Sequence, residues 1–186
     1  MKKKILSLCG AILIFTAFSI FLKNKYFFSK TEPSVINLAL DNSFDSLDPA
    51  KAYSDDSLLV SAQVLEPLYQ YHYLKRPYEI QPLLAEELPR FSENSKNLVI
   101  KIKSDIMYHP HPAFGGKPRF LKAEDFVIQF KRLAFENLKS PGKSLFSGLI
   151  KGFERFGDEV GERWEKIPDV DLEGVKALDD HSLQLQ

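Results

Sequence analysis

Several groups of residues in this 186-residue chain have types and spacings that could do chemistry. His109-Pro110-His111 offers two imidazoles one residue apart, with His72 or His181 as a third ligand. An extended segment lets both rings reach one side, but the pattern lacks zinc-site spacing, and flanking prolines and glycines describe a solvated loop. Gly115-Gly116-Lys117 has the end of a phosphate loop without its start: His111 stands where the first glycine is required, and Pro118 replaces the serine or threonine. Asp45 with Asp48, and Glu86 with Glu87, have the composition of paired acids for glycoside hydrolysis, although carboxylates so spaced commonly form turns and solvated faces. Phe153, Phe156 and Trp164 could stack on a sugar, but aromatic residues serve first as core or interface packing. There is no Gly-x-Ser-x-Gly elbow, and the single cysteine, Cys9, lies in the apolar leader. These residues therefore indicate no enzyme, no metal and no cofactor.

The elements that hold these residues are read from periodicity. Val35 to Leu40 reads as a mostly buried strand, and Asp41 to Ala50 is an ordered loop dense in turn formers. Ser54 caps a helix from Asp55 to about Leu65, with Leu58, Leu59, Ala62 and Leu65 as its inner stripe and Glu66-Pro67 as its end. Leu68 to Leu74 is a tyrosine-rich strand, and Pro77 to Pro89 holds a short amphipathic turn. In Leu98 to Lys103, Leu98, Ile100 and Ile102 share one face while Lys101 and Lys103 point to the other. A second helix runs from Ala123 to about Glu136, with Phe126, Phe130, Leu133 and Ala134 along one side. Ser140-Pro141-Gly142 breaks the chain, and Leu145 to Phe156 is apolar and interrupted by glycines. Two strands around an Asp179-Asp180 turn follow, the second stopping at Gln186.

Residues 1–30 carry six lysines and no acids, which leaves 19 basic against 25 acidic side chains in the rest. A body of net charge −6 argues against nucleic acid as a partner. Ile5 to Leu22 is an uncharged run of 18 residues behind Lys2-Lys3-Lys4. It meets the lower limit for a spanning helix and equally fits a signal peptide cleaved near Ala17-Phe18-Ser19. Both readings place residues 31–186 beyond the inner membrane, and the second domain boundary follows: 1–30 leader or anchor with linker, 31–186 binding body. Lipidation of Cys9 fits poorly, since cutting there leaves most of the apolar run attached.

Five landmarks occur in order: Ser46-Leu47-Asp48-Pro49-Ala50, Leu65-Glu66-Pro67-Leu68-Tyr69, Leu83-Leu84-Ala85-Glu86, Ile102 to His109, and Ala123-Glu124-Asp125-Phe126. Together they resemble the family 5 extracellular solute-binding proteins, the peptide receptors of bacterial ABC importers. The resemblance implies an α/β chain forming the N-terminal part of a two-lobed periplasmic-binding-protein (class II-like) fold, truncated, in which closure around an extended oligopeptide would need the absent lobe. It implies a periplasmic, non-enzymatic receptor whose partners are an oligopeptide, the membrane subunits of an ABC transporter and, if the leader is uncleaved, the inner membrane through residues 5–22. By the same resemblance, Tyr53, Ser54 and Asp55 contribute to the peptide cleft. Two departures stand out: Lys122 replaces the usual capping threonine, at about 1 kcal/mol, and Pro110 to Phe120 lengthens the preceding turn. The alternative reading is a membrane-anchored remnant or interaction module without ligand binding, and a hydrolase built on the acidic loops ranks last.

Overall fold

A computed structural model of the chain describes residues 35–37, 39–40, 45–92 and 96–186. The leader assigned to residues 5–22 lies outside the described residues. Among the described residues no helix is long and apolar enough to cross a membrane. The chain divides into a unit Met1–Ala39 and a unit Leu40–Gln186, and the second is described below.

The core sheet grows from the alternating strand. β4 (Leu98–Lys101) pairs with β3 (Arg90–Phe91) on one side and with β6 (Ser182–Leu185) on the other, and β6 forms a hairpin with β5 (Val175–Asp179). The order is β3-β4-β6-β5, antiparallel throughout. The register sets Leu98 opposite Leu185 and Ile100 opposite Leu183, with Val175 and Ala177 opposite the same two β6 residues. Period-two alternation therefore gathers all six side chains on one face, and Ile100, Leu183 and Val175 are buried.

Helix α2 (Ala123–Ala134) packs on β5 and β6 and buries Val127, Leu133 and Ala134. Lys122 precedes it with no side-chain cap, but the unfavourable choice is offset locally. Asp125 Oδ2 accepts the Lys122 amide at 2.9 Å, the Asp180 carbonyl accepts the Ala123 amide at 2.8 Å, and Lys122 Nζ reaches Asp180 Oδ2 at 2.8 Å. Helix α3 (Phe153–Val160) buries Phe153, Phe156 and Val160 and crosses α2 where Gly157 has no side chain. A Cβ at Gly157 would lie 2.8 Å from the Ala134 carbonyl oxygen. The aromatic-platform reading therefore fails: Phe153 and Phe156 are core, while Trp164 is half exposed in a 3₁₀ turn against Phe135.

Two further expectations are corrected. Residues 35–37 and 39–40 are not a strand, and Val35 and Ile36 are 74% and 81% exposed. Helix α1 (Asp55–Val64) forms where expected, but its inner face is Ser57 and Ser61, while Leu58, Leu59, Ala62 and Leu65 are exposed. The tyrosine-rich strand is β1 (Tyr69–Tyr71), paired antiparallel with β2 (Ile80–Pro82) as a separate two-stranded ribbon.

Candidate functional site

The polar side of α1 faces a turn, residues 45–52, rather than an apolar layer. Backbone amides crowd this turn and need acceptors. Ser57, fully buried, accepts from the Asp45 amide at 2.8 Å and the Ser46 amide at 3.3 Å, and its hydroxyl donates to Asp45 Oδ1. Ser46 Oγ accepts the Asp48 amide at 3.0 Å, and Asp48 Oδ1 accepts the Ala50 amide at 3.1 Å. The Asp48 carbonyl accepts from both Lys51 and Ala52 at 2.8 Å, which turns the chain so that Ala50 and Ala52 are buried. An apolar residue at position 57 would leave these amides without an acceptor, so a serine faces inward.

The turn is also fixed from across the molecule. Arg132, in the last turn of α2, donates through Nη2 to Asp48 Oδ2 at 2.5 Å and through Nη1 to Gln129 Oε1 at 2.8 Å. Its guanidinium lies 5.9 Å from the Trp164 ring centroid. The two partners are 84 residues apart, so nothing local in the sequence announced the pair. Asp45 and Asp48 are thus committed separately, one to serines and one to arginine, and do not form a catalytic carboxylate pair. The Ser57 hydroxyl, and then the Ser54 hydroxyl and nearby amides, hold the Asp45 carboxyl at about 2, below its ordinary 3.8.

The three residues assigned to the cleft sit where this turn enters α1. Tyr53 is 77% exposed. Ser54 is the N-cap, accepting the Ser57 amide at 3.2 Å and donating to Asp45 Oδ1 at 3.0 Å. Asp55 is exposed in the first helical turn. Ser54 is therefore built into the turn, while Tyr53 and Asp55 are exposed at the surface. Sequence reading missed Ser57 and Arg132; the spacing Ser54-x-x-Ser57 beside an Asp-rich loop was the one available signal for the first.

Two of the four histidines, His72 and His111, serve backbone geometry. His111 Nδ1 accepts the Ala113 amide at 3.1 Å ahead of a 3₁₀ turn, and His72 Nδ1 accepts from Leu74 and Lys75 at 3.2 and 3.3 Å. Among the described residues no three metal-binding side chains converge. Gly115 and Gly116 have positive φ, 59° and 75°, and form a turn after that 3₁₀ segment.

A concavity of about 330 Å³ lies between the 86–90 segment and the β5–β6 turn. Lys101 Nζ donates to buried Ser182 Oγ at 2.6 Å, and Ser182 donates to Asp179 Oδ2 at 2.7 Å. That hydroxyl, followed by the His181 amide, holds the Asp179 carboxyl below the usual carboxylate range. Glu87 pairs with Arg90 at 2.7 Å on the rim of the concavity, and the Lys101–Ser182–Asp179 chain shapes the hairpin.

With the geometry in place, the likeness to solved structures becomes specific. The chain superposes on OppA of Listeria monocytogenes bound to peptide with a TM-score of 0.57 and 26% identity, over 76% of this chain and 24% of that one. Haemophilus influenzae OppA in complex with RPPGFSPFR gives 0.57, 25% identity, 76% and 24%. The Escherichia coli murein tripeptide binding protein MppA gives 0.58, 25% identity, 79% and 25%. Its structural neighbours are family 5 peptide-binding proteins. The fold is accordingly the N-terminal part of the two-lobed periplasmic-binding architecture, with mixed helix and strand content, and the chain spans about a quarter of the length of the structures it matches. No family model matches the sequence, and no curated protein matches it.

Proposed function

We propose that the chain is part of the substrate-binding component of an ABC-type peptide import system, taking extended oligopeptides in the periplasm and delivering them to the transporter's membrane subunits. The observation that carries this reading is the superposition of three quarters of the chain on peptide-bound receptors. The role is capture, not catalysis, as for those neighbours. Residues 5–22 would serve as cleaved leader or as inner-membrane anchor.

In this reading Tyr53 and Asp55 face the ligand, and Ser54 holds the cleft-side turn in shape. Extended peptides are bound largely through backbone hydrogen bonds with pockets for alternate side chains, so Tyr53 supplies a stacking surface and Asp55 a negative charge. The test is isothermal titration with oligopeptides, using protein expressed from its own locus with whatever coding sequence adjoins this chain. Saturable binding that weakens about tenfold in Tyr53→Ala, a loss of about 1.4 kcal/mol, is the expected result. Absence of binding, with no peptide co-purifying by mass spectrometry, would overturn it.

A second reading, a membrane-tethered interaction module without ligand binding, is favoured by one observation: α1 presents Leu58, Leu59 and Val64 at 53%, 53% and 64% exposure. Self-association of the purified chain that is abolished by Leu58→Ser with Leu59→Ser, without peptide binding, would select it.

A further inference from the structure

The β1–β2 ribbon is amphipathic in a way that the peptide-receptor reading does not use. The register pairs Tyr69 with Pro82, Gln70 with Gln81 and Tyr71 with Ile80, and the His72 amide extends the ladder to the Glu79 carbonyl at 2.8 Å. Alternation puts Tyr69, Tyr71, Ile80 and Pro82 on one face and Gln70 and Gln81 on the other, the Tyr78 ring lies in edge contact with Tyr71, and Tyr73 belongs to the turn that joins the strands. At its base the apolar face is anchored, because Leu68 and Tyr69 pack against the core and Tyr69 Oη donates to the Glu87 carbonyl at 3.3 Å. Beyond the base it is uncovered: Tyr71, Tyr73, Tyr78 and Ile80 are 65%, 87%, 68% and 54% exposed, and Leu74 at the turn is 77% exposed.

The turn adds charge of one sign. Lys75 and Arg76 follow Leu74, and the Arg76 guanidinium sits 4.3 Å from the Tyr78 ring centroid, itself in edge contact with Tyr71. Glu79 pairs with Lys75 at 2.6 Å with both side chains more than half exposed, so the pair exchanges readily with solvent and other anions. A tyrosine-bearing ribbon with a leucine tip and a net charge of +1, from Lys75, Arg76 and Glu79, stands on a body whose net charge is negative. Tyrosine rings favour the boundary between hydrocarbon and headgroups, and exposed lysine and arginine favour anionic headgroups.

We propose that the 69–82 ribbon docks on the surface of an anionic lipid bilayer, with Leu74 reaching the upper acyl chains, the Tyr71, Tyr73 and Tyr78 rings at the headgroup boundary and Lys75 and Arg76 on lipid phosphates. The proposal is independent of peptide binding. It holds the body against the membrane whether or not the leader is retained.

The test uses the full chain in vesicles of phosphatidylglycerol and phosphatidylethanolamine carrying brominated acyl chains, with Trp164→Phe as background. Bromine quenches tryptophan only at acyl depth, so Leu74→Trp reports the ribbon, and Leu178→Trp, on the other hairpin and 54% exposed, reports mere proximity. Emission of the Leu74→Trp protein roughly halves, that of the Leu178→Trp protein does not, and raised salt relieves the quenching. Lys75→Ala with Arg76→Ala lowers the ribbon's partition about twenty-fivefold, at about fivefold per basic residue. An unquenched Leu74→Trp protein that co-sediments with the vesicles would overturn the proposal, as would equal quenching at both positions.

Discussion

Breaking the Arg132–Asp48 pair should loosen the 45–52 turn from α2 and lower stability by an amount the structure sets. The contact is 2.5 Å, and the side chains are 23% and 29% exposed, so it is neither a solvated surface pair nor a fully buried one. Two unit charges about 4 Å apart at an effective dielectric of about 20 attract by about 4 kcal/mol, from which the cost of partial desolvation must be subtracted. Hydrogen bonds to charged groups retain about 1.5–3 kcal/mol net, and we take about 2 kcal/mol for this pair. Asp48→Asn keeps an oxygen for the Ala50 amide, and Arg132→Met keeps the aliphatic stem, so the double-mutant cycle isolates the pair.

Urea unfolding reports it directly, because the chain's one tryptophan, Trp164, lies beside Arg132. Each single substitution should lower the unfolding free energy in urea by about 2 kcal/mol, equivalent to about 4–8 °C in melting temperature, with the double mutant little worse than either single mutant. A coupling energy below about 0.5 kcal/mol, the value of an exposed pair, would refute the reasoning. Salt provides an independent reading, since screening should weaken Lys75–Glu79, at 52% and 55% exposure, more than this pair.

Three further predictions concern neighbouring elements. The folded Asp45 carboxyl titrates at about 2 against an ordinary 3.8, so its contribution is fully present above about pH 4 and is lost as pH falls through about 2; melting curves in this window should flatten in Ser57→Ala relative to its own neutral-pH value. Lys122→Thr supplies the missing N-cap oxygen at the start of α2, worth about 1 kcal/mol, and gives up only an exposed ion pair with Asp180, so calorimetry should show a melting temperature raised by roughly 2 °C. Gly157→Ala drives a Cβ to 2.8 Å from the Ala134 carbonyl and should cost about 1–3 kcal/mol in urea despite alanine's better helix propensity, and no loss would mean that α2 and α3 separate easily.

The parts of the fold legible in the sequence are those whose partners lie close in period or in chain. Leu98, Ile100 and Ile102 alternate because one face of β4 meets the core, and the β5–β6 hairpin follows from the turn chemistry at Asp179-Asp180. Helix α2 follows from an apolar stripe that packs on that same sheet. Helix α1 was read with its faces exchanged. Its leucines carry the stronger hydrophobic signal, yet the structure it packs on is a turn whose amides require acceptors, and a buried unpaired amide costs about 1–3 kcal/mol each. Ser57 satisfies two of them at once, which offsets much of what burying one leucine would yield, about 1.5–3 kcal/mol. A helix face is therefore chosen by the chemistry of what it meets, and what α1 meets is held in shape by an arginine 84 residues from its aspartate. That dependence on a distant residue is why the candidate site, unlike the core sheet, is not legible in the sequence: Tyr53 and Asp55 are presented by a turn whose geometry is fixed from α2.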